Sequence, residues 1–292
     1  MRKFSDYNPI VTAVFFGTTI GISMFSMNPV MIFLSLFGAV LYFLSQNGKK
    51  EGRTHLFYAA VFFVTAGINP LVSHNGVTVL LVVNDNPITL EAVIYGVFAA
   101  LTLVTALYWF RCFSGIMTGD KLLYLFGGLS PRLSLVLSMS LRFVPLFREY
   151  SREAQRAQTA LGLYKEESII GRIKGGAAVF SSTVSWALEN GIVTADSMAA
   201  RGYGVGKRTF FSDFRVTRRD IVMLFSVVTS GLIVVIAKLQ GAMQVSFYPA
   251  FEWGAFSLLS LAGYLSFGVL CLLPVAVEIG ERIRWSFLKS KI

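Results

Sequence analysis

The stretch from Ile88 to Phe110 holds one charged residue, Glu91, close to its start. A run of that length and apolarity has one stable fate. An α-helix rises 1.5 Å per residue, so about 20 apolar residues cover the ~30 Å hydrocarbon core of a bilayer. In lipid a helix satisfies its own backbone groups, which an isolated strand or loop cannot do. Five further stretches read the same way: Pro9 to Met27, Pro29 to Ser45, Thr54 to Val72, Ile221 to Ala237 and Gly254 to Val277. Asn28-Pro29 makes the link between the first two a tight turn. Gly67 and Asn69-Pro70 are expected to interrupt the third. The apolar run from Val77 to Val83, after Ser73-His74-Asn75-Gly76, is too short to span. It reads as a re-entrant or interfacial segment beside the helix ends. Composition agrees: 54% of the 292 residues are apolar and only 14% charged, against about 25% charged in soluble domains.

The charges are clustered, and their placement orients the spans. All but one of the 26 Lys and Arg residues fall before the first span, between the second and third, from Arg111 to Arg219, or after the sixth. The opposite loops, 73–87 and 239–253, hold none, and only Lys238 borders one. Positive charge favours the cytoplasmic side, so both termini and residues 111–219 are expected in the cytoplasm. The net charge of +10 then suits an anionic inner leaflet and implies no nucleic acid. The basic N-terminus has no clean cleavage site, so the first span reads as retained. The expected fold is all-α: a polytopic membrane protein of about six transmembrane helices. Its regions are 1–112 (N-terminal transmembrane), 113–219 (cytoplasmic) and 220–292 (C-terminal transmembrane). Leu133 to Phe147 is apolar enough to suggest a further span. Arg142 within it would cost about 2.5–3.5 kcal/mol at mid-bilayer, so a helix at the inner interface is expected instead.

Two long helices are expected in residues 131–202. The first starts at Ser130-Pro131, an N-cap followed by proline at the first helical position. Phe143, Phe147, Tyr150, Ala154, Ala157 and Leu161 recur at steps of three and four, one apolar seam. Arg148, Arg152 and Arg156 form a basic row on another face. The second runs from about Arg172 to Arg201, with Ile173, Ala177, Phe180, Val184, Ala187, Gly191, Ala195 and Met198 as its seam. Each helix ends in a short small-residue tip, Ala160-Leu161-Gly162 and Ala200-Arg201-Gly202. Such a tip, held in water by a packed stem, can enter a partner's groove. Equally, Gly202 can simply stop a helix while Arg201 satisfies its last carbonyls.

Catalytic chemistry is not expected. Gly206-Lys207 fails as a phosphate loop, because Arg208 follows the lysine and Arg201 stands where the first glycine belongs. His55 and His74 lack paired-ligand spacing. Cys112 and Cys271 show no CxxC pattern and read as buried thiols. Glu189 and Asp196 read as polar helix positions. Glu91 and Glu278 lie near span ends, whereas ion-coupled carriers place such groups deeper. Gly17 and Gly21 form a GxxxG pair, a helix-contact signal of low specificity.

Three stretches resemble one family: NPLVSHNGVTVLL (Asn69 to Leu81) leading to NPITLEAVIYG (Asn86 to Gly96); LRFVPLF (Leu141 to Phe147) with EAQRAQTALG (Glu153 to Gly162); and ADSMAARGYG (Ala195 to Gly204). They are similar, in order, to the transmembrane T component of energy-coupling factor (ECF) transporters, bacterial importers of vitamins and metals. The resemblance implies a coupling domain of two long helices crossing in an X. Their Ala-Arg-Gly-like tips dock in grooves of two ABC-type ATPase subunits, and their seams hold a small membrane-embedded substrate-binding S component. Arg201, between Ala200 and Gly202, matches the second motif. Leu161, between Ala160 and Gly162, stands where the family commonly has arginine. That departure implies asymmetric docking on two non-identical ATPases. Phe143, Phe147, Tyr150, Phe180, Val184 and Ala187 are the expected S-component or helix-crossing contacts. The implied place is the bacterial cytoplasmic membrane, the chain itself carrying no catalytic site, metal or cofactor. A self-contained channel or carrier, or a membrane-embedded enzyme, are the competing classes.

Overall fold

A computed structural model describes residues 4–47, 51–73, 76–83, 86–162, 169–205, 216–248, 252–254 and 257–289. They form helices α1 (Pro9–Met24), α2 (Pro29–Asn47), α3 (Gly52–Val72), α4 (Leu90–Ile116), α5 (Gly119–Leu129), α6 (Pro131–Ala160), α7 (Ile169–Ala200), α8 (Arg218–Leu239) and α9 (Leu258–Lys289). Two short antiparallel ribbons interrupt the helices: β1 (Val79–Val83) with β2 (Asn86–Thr89), and β3 (Val245–Ser246) with β4 (Glu252–Trp253). The chain divides into two compact units. One joins residues 1–118 to 214–292, so the first and last helices fold together. The other is 119–213.

In the first unit α2, α3, α4, α8 and α9 are long and apolar enough to cross a membrane. The protein is therefore an α-helical, membrane-embedded one. The sixth expected span, α1, is apolar but has 16 residues, about 24 Å of helix. It stops at Met24 rather than Met27, because the turn into Pro29 consumes Phe25 to Asn28. Pro29 also disfavours helical backbone at the residue before it. Helix α3 runs unbroken through Gly67 and Asn69-Pro70, contrary to expectation. Pro70 cannot donate to the Ala66 carbonyl, and Gly96 of α4 approaches that carbonyl: a Cβ there would lie 3.1 Å from it and 2.9 Å from Asn69 Cβ. The Val77 to Val83 run, expected to be re-entrant or interfacial, is mostly strand β1.

Helices α2, α9, α8, α1 and α4 each pack on the next and close a ring, with α3 outside it on α4. Only 11% of the α3 span is buried, against 39–44% of the others. The core is aromatic. Trp109, Tyr42, Phe4, Phe15 and Phe16 are all buried, and their rings meet edge-on or tilted at centroid distances of 5.2–6.4 Å. Trp109 Nε1 donates to Ser35 Oγ at 2.9 Å. That bond satisfies a buried indole N–H that would otherwise cost the full desolvation of the group.

Polar side chains pin the helix ends. Asn28 donates to the Met243 carbonyl at 3.1 Å and to the Tyr264 hydroxyl at 2.7 Å, and accepts from Val30 N–H at 3.0 Å. Lys238 donates to the Phe25 carbonyl. At the other end, Asp220 accepts from Thr217 N–H at 2.8 Å and from Asn8 N–H at 3.1 Å. Glu278 accepts from Ser45 Oγ, and Arg282 donates to the Ser45 carbonyl at 2.7 Å. His55 pairs with the Tyr108 hydroxyl at 2.7 Å, a structural contact. His74 lies outside the described residues. Cys112 and Cys271 are free and buried.

The GxxxG pair is not where helices meet closely. A Cβ on Gly17 or Gly21 would find open space, whereas on Gly38 it would lie 2.8 Å from Cys271 Cβ and 2.9 Å from the Cys271 carbonyl oxygen. The close contact is thus α2 against α9. Gly38→Ala should destabilise the unit by about 1–3 kcal/mol through overpacking, while Gly17→Ala should leave it unchanged. Thermal unfolding in detergent distinguishes the two; equal melting temperatures would contradict the α2–α9 packing.

Candidate functional site: two helix tips and an uncovered stripe

The second unit holds every residue singled out for function. Proline at its first position starts α6. Ser130 precedes it with extended backbone, but its side chain makes no capping bond. The Leu133 to Phe147 segment is the first half of this helix, and α6 is not among the helices apolar enough to span. Helix α5, which the sequence did not reveal, packs on α6.

Helices α6 and α7 meet through aromatic rings. Phe143 stacks on Phe147 with centroids 5.6 Å apart. Phe147 meets Trp186 edge-on at 5.9 Å, and Tyr150 stacks on the same indole at 4.5 Å. The α6 seam therefore bears on α7. The α7 side of the contact is a different stripe from the expected one. Gly175 and Val179 are the buried residues of α7, and Trp186 supplies its rings. Ala187 is half-buried beside it. Phe180 and Val184 lie roughly a third of a turn away and are exposed, Phe180 to 70%. Phe180 rims an open groove of about 250 Å³ shared with Ser151, Gln155, Gly176, Val179 and Thr183. With Ile173, Leu188 and Ile192, also exposed, it forms an apolar stripe that this unit leaves uncovered. Spacing could not separate the two stripes, since both follow steps of three and four. Trp186, a large ring at the same helical register as Val179, was the available signal.

Both tips close on a glycine whose N–H donates to the carbonyl three residues back. At the end of α6, Leu161 N–H donates to the Ala157 carbonyl and Gly162 N–H to that of Thr159, each at 3.0 Å. At the end of α7, Arg201 N–H donates to Ser197 at 3.1 Å, Gly202 N–H to Ala199 and Tyr203 N–H to Met198, both at 3.0 Å. The last two bonds are the paired reverse bonds of a Schellman cap. Gly162 has φ +70° and Gly202 φ +74°, a left-handed backbone that costs an L side chain about 1 kcal/mol or more. Satisfied carbonyls leave the side chains free to face outward. Ala160, Gly162, Ala200, Arg201 and Gly202 are exposed, and Leu161 is 74% exposed. The two tips share a backbone and differ in chemistry, one apolar and one cationic. The Arg201 backbone N–H sits inside the cap, but its guanidinium forms no ion pair among the described residues.

Glu189 and Asp196 are exposed on α7. Gly206-Lys207 lies outside the described residues. Among the described residues no group of three or more His, Cys, Asp or Glu could hold a metal ion.

No protein-family model matches the chain. An uncharacterized protein of Mycoplasma genitalium is 26% identical over 112 residues. The match covers 38% of this chain and 27% of that protein, so the chain spans about a quarter of the relative's length.

Trp186→Ala removes both ring contacts across the α6–α7 crossing. Aromatic pairs are worth about 0.5–1.5 kcal/mol each beyond burial. Limited proteolysis of residues 119–213 should therefore speed up several-fold with little change in total helix content. Phe180→Ala, on the uncovered stripe, should leave the cleavage rate as it is.

Proposed function

We propose that this chain is the T component of an ECF-type ABC importer, a non-catalytic coupling subunit in a bacterial cytoplasmic membrane. It carries ATP-driven motion from two ATPase subunits to a membrane-embedded S component that binds a vitamin or a metal. The observation that carries this reading is the matched pair of capped tips, Leu161 and Arg201, each exposed at the end of a long helix. Four further features support it. Trp186 packs the two helices against Phe147 and Tyr150, so a displacement at one tip is passed along a packed stem. The exposed stripe through Ile173, Phe180, Leu188 and Ile192 is an apolar surface that an S component would cover. Two buried carboxylates of the membrane unit are engaged by hydrogen bonds, Glu91 at the start of α4 by Thr78 and Glu278 of α9 by Ser45 near the end of α2, a structural use rather than one in ion coupling. The bias of basic residues places both termini and residues 119–213 inside, with α1 to α4 making four crossings and α8 and α9 two.

In this mechanism ATP binding draws the two ATPases together. Each groove carries its tip with it, and the crossed helices shift against each other like levers. The S component on the stripe reorients in the membrane and releases its substrate inward. Arg201 meets an acidic groove, and Leu161 meets an apolar one. The two ATPases accordingly differ.

Arg201→Ala removes a charge whose truncation at a buried charged contact costs about 2–5 kcal/mol. Co-purified ATPase should fall sharply, or hydrolysis should continue without uptake. Leu161→Asp should impair assembly more than Leu161→Ala. Unchanged assembly and uptake in both Arg201→Ala and Leu161→Asp would overturn the assignment. So would substrate transport by the purified chain alone in liposomes, the behaviour of a self-contained carrier.

A further inference from the structure

The β1–β2 hairpin connects α3 to α4, and its two strands form a sheet of their own. Val79 pairs with Thr89, Leu81 with Ile88, Val82 with Pro87 and Val83 with Asn86, with an irregularity between Val79 and Leu81. Strand β2 packs on the ends of α3 and α4, so β1 lies on the outer edge. Its side chains are apolar on both faces. Val79, Leu80, Leu81 and Val82 are each 53–65% exposed, and Val77 before them is 71% exposed.

The hairpin is held firmly in this position. The Glu91 carboxylate, in the first turn of α4, accepts from Thr78 N–H at 3.3 Å and from the Thr78 hydroxyl. Leu90 N–H donates to the Thr78 carbonyl at 2.9 Å. Gly76 adopts φ +147° where a Cβ would strike Glu91 Oε2 at 2.5 Å. Glycine is required there to let the chain pass.

Two constraints then fix where this strand can lie. Bulk water is excluded, because consecutive large apolar side chains on an exposed edge strand would aggregate. The hydrocarbon core is excluded, because among the described residues the outer edge of β1 has no strand to pair with, and unpaired backbone groups cost several kcal/mol each in hydrocarbon. The boundary between acyl chains and headgroups satisfies both demands. The surface around the hairpin continues the same apolar belt: Leu71 and Val72 at the end of α3 and Leu90 at the start of α4 are exposed. A protein docked on one side of the ribbon would leave its second apolar face in water. Immersion in lipid covers both.

We infer that the β1–β2 hairpin is an interfacial anchor, with the side chains of Val79 to Val82 in the acyl boundary and the free edge of β1 hydrogen-bonded to headgroups and their water. It fixes the depth of α3 and α4 at this end. Helix α3 is the span with the least protein around it, so the anchor supplies positioning that packing does not.

The test uses the full chain, reconstituted alone in vesicles of phosphatidylcholine and phosphatidylglycerol. Nitroxide labels are placed at Leu81→Cys and Val82→Cys, which point to opposite faces of the ribbon, and at Leu80→Cys as a further site. All three side chains are exposed, while native Cys112 and Cys271 are buried; mock-labelled protein gives the background. At each site, relaxation by oxygen should exceed relaxation by a water-soluble nickel chelate. The depth should fall within about 10 Å of the headgroup boundary. Nickel dominance at either face would overturn the anchor, as would a depth at mid-bilayer. Low access of both reagents at one face with water access at the other would mark a protein contact and overturn it too.

Discussion

The hydrogen bond from Trp109 to Ser35 lies where α4 meets α2, in the middle of a ring of five helices. Its setting explains the rest of the membrane unit. Lipid tails are as apolar as leucine, so burying one apolar side chain against another gains little there. What remains is close fit and hydrogen bonding. The edge-on rings of Phe4, Phe15, Phe16 and Tyr42 around the indole provide the fit. Gly38 lets α2 approach Cys271 of α9 more closely than any side chain would permit. A buried polar atom left without a partner is expensive there, so the polar contacts that are made carry weight. Asn28, Asp220 and Glu278 each join segments far apart in the chain.

The second unit obeys different rules. Its long helices carry basic rows and polar faces, and they meet through a few large rings and small residues. Gly175 and Val179 are buried on α7, and Trp186 meets the rings of Phe147 and Tyr150 between the stems. That arrangement leaves the bulkier aliphatic stripe of α7 uncovered. The proposed coupling role rests on an uncovered apolar stripe in the same unit as two exposed tips that each end on a left-handed glycine. The tips have one backbone geometry because both end on a left-handed glycine, and they differ only in the residue before it.

Much of this was legible in the amino-acid sequence, and the losses have a common cause. The long helices around residues 131–160 and 169–200 were readable from proline at the start, glycine at the stop and the period between. The glycine stops at 162 and 202 were readable because no other residue reaches their backbone conformation without strain. Which stripe of α7 meets α6 was not legible, because Ile173, Phe180 and Val184 recur at the same steps of seven and four as Gly175, Val179 and Trp186, and period is no guide to which of two faces is covered. Gly17 and Gly21 fit a contact motif, yet the contacts fell at Gly38 and Gly96. A small residue permits close approach without specifying a partner. The hairpin at 79–89 was hidden because a short apolar run has no period long enough to separate strand from helix.

The sequence alone determined which segments are apolar enough to cross a membrane and where the two long helices of the second unit stop. Both are local matters: span length against bilayer thickness, charge against hydrocarbon, and glycine against backbone strain. Tertiary structure decided which faces meet, which apolar surfaces stay uncovered, and that the segment after α3 pairs with itself as a ribbon. Those outcomes depend on shape matching between distant segments. In a medium as apolar as the side chains themselves, hydrophobic pattern cannot encode them.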